Sequence, residues 1–580
     1  MKRLISIPIF ILLLSGIAEA QVAKQVEVTK DYTPTMERAT KLPIVPNMTD
    51  TVTMRPEIDY TMTPRSFASA LGTHRIKPAT VTYWEYAPEY PLYIKLGVGY
   101  PLNSVADVYA STHRADVGFI TGYVNHIGQY AKIKVSDSEG AFRNNSQQLV
   151  NRVGVNAGKY FGKYTLAGDI YYQSDIYHRY PSRDRSQSKI NFEDVNFKMR
   201  FGDSFVDLKH LNFDIYGAFD FYNDKSEQSA VLGDKPKLQE IDIAAGVKLS
   251  HILGGGRSHF VASIDYRGYC GLKELSEYKN NMLSATFVYG YNSGRLLNLK
   301  AGLTYCYDHT ASAEKRNRNY VLPYLYLGLN VNNSGVFVPY IELDGAVHNN
   351  SYYSLVRRNP YVAMLSRDGG MGLPIVEQNL PNTSLSLPNT AQYDVRFGVS
   401  GHTRNSKFAY RFYANMSFLE NSLYWYNINR IFFNVDVARE NIWSLNAELD
   451  YKPVSQLLIA MQVSGLIYTN FANVNSAKPP VTASLRLRYS HRKFAIGASA
   501  ELQGVSKWTG YNIDATTVTA EKNTINVPAT VDVGLTVDWY VSKRCTIFAE
   551  GNNLANMNIY KWVFYREYGA SFTAGVKVQF

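Results

Sequence analysis

Apolar and polar residues alternate at the end of this sequence. In residues 568–580 (YGASFTAGVKVQF), every second position from Ala570 to Phe580 is apolar, while the positions from Ser571 to Gln579 are polar or small. A period of two places all the apolar side chains on one face of a β-strand. Because the same pattern recurs through residues 92–580 with almost no helical periodicity, the sequence predicts an all-β fold.

The polar face of these strands carries charges of both signs. Lys198 and Arg200 alternate with phenylalanine and methionine, and Asp532 and Asp538 alternate with valine, leucine and tryptophan. Charges on an inner face are tolerated where the interior holds water or a polar plug, which a soluble β-sandwich lacks. We therefore predict a transmembrane antiparallel β-barrel with these four side chains in its lumen. They could set solute selectivity or pair with one another and hold the shape of the wall.

Tight turns alternate with longer loops along the predicted barrel. Turn residues such as Gly, Asn and Ser cluster at 112–114, 161–163, 253–257, 292–295, 332–335, 403–406, 452–456, 491–493 and 542–544. Longer loops are expected at 127–146, 175–188, 223–236, 269–280, 309–318, 349–388, 421–429, 471–480, 505–526 and 553–562. Short turns face the periplasm in such barrels, and the alternation predicts about 22 strands with both chain ends on the periplasmic side.

The segment before the barrel differs from the rest of the chain. Residues 1–20 combine two basic residues, an apolar run and a small-residue cleavage site, which is typical of a secretory signal peptide. Residues 21–91 are rich in Thr and Pro, which disfavour helices and central strands. We predict an extended N-terminal periplasmic arm, ordered where it touches the barrel or acting as a flexible linker.

The amino-acid composition favours some classes of binding partner over others. The 45 tyrosines suit the aromatic girdles of a large barrel at the membrane interfaces. The net charge of +11 is spread along the chain without a basic run, which disfavours nucleic acid and favours contact with lipopolysaccharide and outer-membrane lipid. The three cysteines exclude a disulfide-dense scaffold.

No motif for chemistry stands out. The 11 histidines are scattered, and HExxH, paired CxxC, Walker, GxSxG and dinucleotide-binding motifs are absent from the sequence. The sequence therefore predicts no catalytic residue, no metal and no cofactor. An enzyme with Ser, His and an acid converging on one rim ranks third among the functional alternatives.

Several stretches carry a family resemblance. They are 31–43 (DYTPTMERATKLP), 451–456 (YKPVSQ), 550–562 (EGNNLANMNIYKW) and the terminal strand. On these residues the chain resembles the barrel of TonB-dependent receptors of the Bacteroidetes type. The resemblance implies import of a bulky, scarce nutrient such as an iron complex, cobalamin or a glycan, with TonB contacting a short N-terminal box and remodelling a plug in the barrel.

The terminal strand adds a partner to this resemblance. It resembles the signal read by the barrel-assembly machinery of Gram-negative bacteria. The residues that would carry that signal are Phe572, Val576, Val578 and Phe580. The implied location is the cell outer membrane, after removal of the signal peptide.

The arm departs from the family pattern. Residues 21–91 number 71, whereas a plug for a 22-stranded lumen needs roughly twice as many. The arm also lacks the strand-and-glycine pattern of a folded plug, and residues 25–29 (QVEVT) are similar to a TonB box only in general character. We therefore expect a receptor-like barrel that lacks a full plug domain.

The longest predicted loop is the other candidate for closing the lumen. Loop 349–388 carries Arg357, Arg358 and Tyr361, and exceptional loops are usually lids, binding loops or constrictions. We expect it to fold over or into the barrel mouth. The favoured function is a receptor-like channel for solute uptake, with TonB as a candidate partner. The alternative is a non-transporting accessory barrel that docks other envelope subunits for assembly, secretion or surface display.

Overall fold

The computed structural model describes residues 90–580 except 115–116, 138, 182, 184–188, 205, 207–209, 227–237, 274, 277, 295, 312–315, 332–333, 363–386, 472–474, 476 and 515–518. The signal peptide (1–20) and all of the arm (21–91) except its last two residues lie outside the described residues. The middle of loop 349–388 also lies outside them. The division of the chain into these segments stays a prediction.

Within the described residues, 22 strands form one closed antiparallel ring. In order around the ring they are β1 (Leu92–Tyr100), β2 (Asn103–Arg114), β3 (Gly118–Gln129), β6 (Gln148–Phe161), β7 (Tyr164–His178), β8 (Lys189–Asp203), β9 (Asn212–Asp224), β10 (Leu238–Leu253), β11 (Ser258–Lys273), β12 (Lys279–Asn292), β13 (Leu297–Thr310), β14 (Asn317–Leu329), β15 (Val338–His348), β16 (Thr390–His402), β17 (Phe408–Ile428), β18 (Phe432–Tyr451), β19 (Leu457–Asn470), β20 (Val481–Ser490), β21 (Phe494–Gln503), β24 (Thr530–Tyr540), β25 (Cys545–Asn552) and β28 (Ser571–Gln579). The predicted all-β barrel is confirmed.

The ring closes between its first and last strands. β1 and β28 pair in antiparallel register from Tyr93 opposite Gln579 to Tyr100 opposite Phe572. Beyond the strand ends, the Phe580 N–H donates to the Leu92 carbonyl at 2.9 Å. Closure leaves no open sheet edge, which is the condition for strands to lie in hydrocarbon.

Six further strands form hairpins outside the ring. They are β4 (Lys132–Asp137) with β5 (Gly140–Asn145), β22 (Ser506–Asp514) with β23 (Thr519–Val527), and β26 (Tyr560–Trp562) with β27 (Tyr565–Arg566). β22 also pairs in parallel with the end of β17. Loop 349–388 begins with helix α1 (Tyr352–Arg358), and Gly254–Gly256 form a 3-10 turn. No helix among the described residues is long and apolar enough to cross a membrane.

The two ends of the ring differ. The turn side is the end where β1 starts and β28 ends, and its connections include 162–163, 254–257, 403–407, 452–456, 491–493 and 541–544. The loop side is the opposite end, and it carries α1 and the three extra hairpins. Short turns face the periplasm in outer-membrane barrels, so the loop side faces outward.

The outer face of the ring is apolar. On β8, Val195, Phe197 and Met199 expose 38%, 44% and 48% of their surface, while the alternating Asp194 and Asn196 are buried on the inner side. A closed ring with an apolar outside and a charged inside is the architecture of an outer-membrane β-barrel. The chain is therefore an outer-membrane barrel protein.

The predicted assembly-signal residues lie on β28 and directly after it. Phe572, Val576 and Phe580 have exposed side chains, at 55%, 39% and 54% of their surface, and Val578 is in phase with them on the strand. Their position on the lipid-facing side follows from the alternation. Recognition by the assembly machinery stays a prediction.

Several predicted connections are wrong in detail. The predicted turn at 112–114 belongs to β2, which runs on to Arg114. The predicted loops 127–146 and 505–526 contain β-hairpins, and β17 and β18 continue to Ile428 and Phe432 through the predicted loop 421–429. On the loop side the reason is that the strands extend past the membrane, where polar side chains remove the alternation that marks a membrane strand. On the turn side, β2 ends in the polar residues Thr112, His113 and Arg114, which resemble a turn in the sequence.

Candidate functional site: the loop-side mouth

Helix α1 lies inside the barrel at the loop side. Its N-cap is Ser351, whose side chain accepts a hydrogen bond from the Ser354 N–H. The next two N–H groups, of Tyr352 and Tyr353, donate to the two carboxylate oxygens of Glu240 at 3.0 Å each. Glu240 belongs to β10 and is fully buried. The first N–H groups of a helix have no partner within the helix, so a wall carboxylate satisfies them and fixes the start of α1.

The end of α1 is held by an ion-pair triad. The guanidinium of Arg357 donates one hydrogen bond to Asp175 on β7 and another to Asp194 on β8. It also lies over the Tyr353 ring, with its carbon 5.2 Å from the ring centroid. Burial alone would lower the pKa of Arg357, but the two carboxylates raise it above its usual value. The arginine therefore stays charged and ties α1 to two wall strands.

Two tyrosines of α1 extend this attachment. The Tyr352 hydroxyl donates to Asp224 on β9 at 2.5 Å, and the Tyr353 hydroxyl donates to Asp194 at 3.2 Å. Burial, and then the neighbouring Asp224 carboxylate, raise the pKa of Tyr352 well above its usual value. The hydroxyl therefore stays a donor, and Tyr352, Tyr353 and Arg357 each have a wall partner.

After α1 the chain reaches the loop-side end of the β17–β18 hairpin and the β26–β27 hairpin. Tyr361 stacks on Tyr565 of β27, with ring centroids 3.5 Å apart. The Tyr361 carbonyl accepts from the Phe433 N–H at 3.1 Å, and the Tyr565 hydroxyl donates to the Ile431 carbonyl. β18, which holds Phe433, lies nearly half-way around the ring from β8. Residues 351–362, which we call the crossing segment, thus link the wall strands β7 to β10 with the loop-side end of β18.

A buried cluster of aromatic side chains surrounds this crossing, and we call it the mouth cluster. It includes Tyr180, Phe192, Tyr222, Tyr269, Tyr278, Tyr352, Tyr361, Phe433, Trp508 and Tyr565. Members come from wall strands, from α1 and from the β22–β23 and β26–β27 hairpins. Rings packed together from these elements exclude water from the space around α1.

The base of the loop is fixed by amides. Asn350 donates to the Pro388 carbonyl at 2.8 Å and to the Thr390 hydroxyl at 2.9 Å, which joins the two ends of the long loop. Asn389 donates to Asp308 on β13 at 3.0 Å, and the Tyr278 hydroxyl donates to the Asn350 carbonyl at 2.7 Å. Both ends of the loop are therefore bonded to each other and to the barrel.

A polar cavity of about 210 Å³ lies beside the mouth cluster. It is lined by Asn427, Arg430, Tyr511 and Asn523, together with Phe564, over whose ring the Arg430 guanidinium sits at 4.7 Å. Among the described residues, the buried Nε of Arg430 and Oδ1 of Asn523 have no hydrogen-bond partner. A guanidinium, two side-chain amides and a tyrosine in the lining of one cavity could bind a small polar molecule.

The predicted lumen residues lie on the wall, away from α1. Arg200 pairs with Asp214 of the next strand at 2.6 Å, and Lys198 lies 5.8 Å from the ring centroid of Tyr171. On the other side of the ring, the residues of β24 have neighbouring partners too. Asp538 accepts from Lys577 at 2.6 Å, and Asp532 accepts from the Asn553 N–H at 3.0 Å. Arg200 therefore pairs with the adjacent strand and Asp538 with β28, the next strand but one, so neither ion pair spans the lumen.

The predicted loop residues have different surroundings. Arg357 and Tyr361 belong to the crossing segment, whereas the Arg358 side chain is exposed and forms no ion pair with any described residue. Sequence reasoning missed Asp175, Asp194 and Glu240, which hold α1. In the sequence, each of them is a carboxylate near the loop-side end of a strand with alternating apolar residues. An ordinary luminal charge has the same position, so the sequence does not distinguish the two.

No group of three or more His, Cys, Asp or Glu side chains in the described part of the chain is arranged to hold a metal ion. The three cysteines are free thiols in the structure. Cys270 on β11 and Cys306 on β13 have β12 between them. The interactions that the described residues form at the mouth are hydrogen bonds, ion pairs and aromatic packing.

The fold is similar to solved structures of transporters and receptors. The siderophore receptor PirA from Acinetobacter baumannii aligns with a TM-score of 0.63 and 10% identity over 84% of this chain and 80% of that chain. The FrpB iron transporter from Neisseria meningitidis aligns with a TM-score of 0.63 and 10% identity over 85% of this chain and 82% of that chain. The copper transporter OprC aligns with a TM-score of 0.59 and 12% identity over 85% and 80%. No family model and no curated protein matches the sequence.

Proposed function

We propose that this barrel is a receptor-like outer-membrane channel for uptake of a solute, with a loop-side mouth that opens to admit it. The observation that carries the proposal is the crossing segment. It closes the lumen through a small set of specific bonds, centred on Arg357 and Tyr361, rather than through the covalent wall. A closure built from separable side-chain contacts can open without unfolding the ring.

The kind of cargo is proposed from the neighbours. Proteins with this barrel fold include a siderophore receptor, an iron transporter and a copper transporter. By analogy, we propose a scarce nutrient as cargo, TonB as the source of energy and no catalytic step. The polar cavity beside Arg430 is the proposed first docking point, because a guanidinium and side-chain amides line a space that a small solute could fill.

We also propose the type of receptor and its route to the membrane. The motif stretches support a Bacteroidetes-type receptor in which the arm, residues 21–91, stands in place of a full plug. We propose that a signal peptide exports the chain and that the barrel-assembly machinery inserts it by binding Phe572, Val576, Val578 and Phe580. We also propose that the barrel contacts lipopolysaccharide.

Single-channel conductance in a planar bilayer tests the channel. The proteins to compare are the full chain, a chain lacking residues 21–88, the Arg357→Ala variant and the two changes combined. We expect a silent full chain and a large steady pore in the combined protein, because both closures are then weakened. A combined protein that is folded and silent would overturn the proposal.

The alternative of a non-transporting accessory barrel is favoured by the extent of the closure. Tyr222, Tyr352 and Tyr565 in the mouth cluster are almost completely buried, as in a permanent core. An accessory barrel should co-purify with envelope subunits at fixed stoichiometry and leave growth on scarce nutrients unchanged. An importer should bind a solute and change that growth when it is deleted.

A further inference from the structure

The turn side of the barrel presents a basic rim. Exposed basic side chains lie in or next to its turns at Arg114, Lys159, Lys163, Arg257, Arg404, Lys407, Lys452, Arg492, Lys493, Lys543 and Arg544. In the described part of this rim, no Asp or Glu side chain is exposed. A charge of one sign concentrated at one end attracts an anionic partner to that end.

An apolar groove begins at this rim on the outer face. It has a volume of about 280 Å³ and is lined by Phe408, Leu449, Tyr451, Ile459, Met461 and Leu485, from the four neighbouring strands β17 to β20. Phe408 and Tyr451 are the cross-strand pair nearest the turn, with ring centroids 6.2 Å apart. The groove therefore runs from the interfacial aromatic pair into the lipid-facing band.

Lysines stand at the rim end of the groove. Lys407 precedes Phe408 and Lys452 follows Tyr451, and the two turns touch because the Lys452 N–H donates to the Lys407 carbonyl at 2.6 Å. Both side chains are exposed, and neither forms an ion pair with a described residue. Arg492 in the next turn adds a third exposed positive charge. Flexible lysines at a membrane interface reach toward headgroup phosphates.

We propose that this groove and its lysines form a binding site for one phospholipid with an anionic headgroup, in the membrane leaflet on the turn side. An acyl chain fills the groove between Tyr451, Met461 and Leu485, and the headgroup phosphate lies between Lys407 and Lys452. A lipid fits better than an apolar protein helix, because the groove is small, at about 280 Å³, and its charged end coincides with the headgroup level. The site is independent of solute transport.

Native mass spectrometry of the full chain in detergent tests the site, with phosphatidylglycerol and phosphatidylcholine of equal chain length as probes. We expect phosphatidylglycerol to be retained roughly tenfold more strongly, since each lysine near a membrane surface favours an anionic lipid. The double variant Lys407→Gln, Lys452→Gln should retain both lipids equally. The matched control Lys159→Gln, Lys163→Gln, on another part of the rim, should keep the preference.

A groove-filling variant separates the apolar part of the site from the charges. Met461→Trp should reduce retention of both lipids by a similar factor, while resistance of the folded band to heating in a gel shows that the barrel is intact. Equal retention of the two lipids by the unmodified protein would overturn the proposal. Loss of preference in the Lys159 and Lys163 control would also overturn it, because the charge effect would then belong to the whole rim.

Discussion

The loop side and the turn side of this barrel are stabilised in different ways. At the loop side, Arg357 and Glu240 connect residues far apart in sequence through buried charges, and aromatic rings fill the mouth. At the turn side, the connections are short, their hydrogen bonds lie within a turn or join neighbouring turns, and their charged side chains are exposed, as at Lys163 and Lys452. Buried long-range contacts carry large free energies, whereas exposed local ones carry small ones. Substitutions at the two ends should therefore differ in their effects.

The two ends of the barrel also differ in how specific their sequences need to be. Returning the chain to the next strand at the turn side is a geometric task that many sequences can perform, and the role proposed there for Lys407 and Lys452 depends on their charge rather than on the turn. The loop side holds a particular segment across the lumen with particular partners, such as Tyr361 against Tyr565. Long loops usually have few specific contacts. A long loop that is held by specific partners is therefore usually a functional element.

The largest effect is expected at Arg357. Arg357→Ala should lower the free energy of unfolding by about 3–5 kcal/mol, because it leaves the buried carboxylates of Asp175 and Asp194 without their cation. Urea unfolding followed by tryptophan fluorescence measures this. The neighbouring Arg358→Ala is the matched control and should change little. Equal effects of the two substitutions would show that the loop side is not held by the triad.

A smaller loss is expected at the start of α1. Glu240→Ala removes the acceptor of two helix N–H groups and should cost about 1–3 kcal/mol, the penalty for buried unpaired polar groups. Glu240→Gln keeps one side-chain acceptor and should cost less. The same urea titration compares them. If Gln and Ala behave alike, acceptor geometry is not what fixes α1.

The aromatic contact between the crossing segment and the far wall should show a coupling free energy. Tyr361→Leu and Tyr565→Leu, singly and together, form a double-mutant cycle, and the expected coupling is about 0.5–1.5 kcal/mol for stacked rings. The pair Tyr326 and Tyr340, stacked at 6.0 Å on adjacent strands, is a control for aromatic pairs outside the mouth. A coupling of zero at the mouth would mean that the two rings merely touch.

The smallest effect is expected on the turn side. Lys163→Gln should change the free energy of unfolding by less than about 0.5 kcal/mol, because the side chain is exposed and its ring contact with Tyr164 is at the surface. Heat-induced mobility shifts on a gel provide a second readout. A loss as large as that of Glu240→Ala would remove the distinction between the two ends.

Much of the barrel could be predicted from the sequence because its physics is local. Alternation on β8 and β24 specifies which side chains face lipid, and turn residues such as those at 161–163 specify where the chain reverses. The even strand count and the shared side of the two chain ends follow from these local signals. The ring as observed agrees with them.

The site could not be predicted in the same way, because its contacts join distant segments. The position of Arg357 in a long loop was visible, but its partners Asp175 and Asp194 look like any other luminal acid in the sequence. The hairpins β22–β23 and β26–β27 were hidden for a related reason. They lie outside the membrane, where strands need not alternate, so their residues resembled ordinary loops.

The seam between β1 and β28 bears on how the protein reaches its native state. Every other contact between neighbouring ring strands can form as hairpins accumulate, but the bonds of Leu92 with Phe580 join the two ends of the strand order. Each doubling of the intervening chain adds only about 0.6 kcal/mol to the entropy of loop closure, so the seam costs little stability. Its cost is kinetic, because non-local pairing slows folding. We therefore expect sealing of the seam to be the last and slowest step of biogenesis, and weakened β1–β28 pairing to trap an open, edge-exposed sheet.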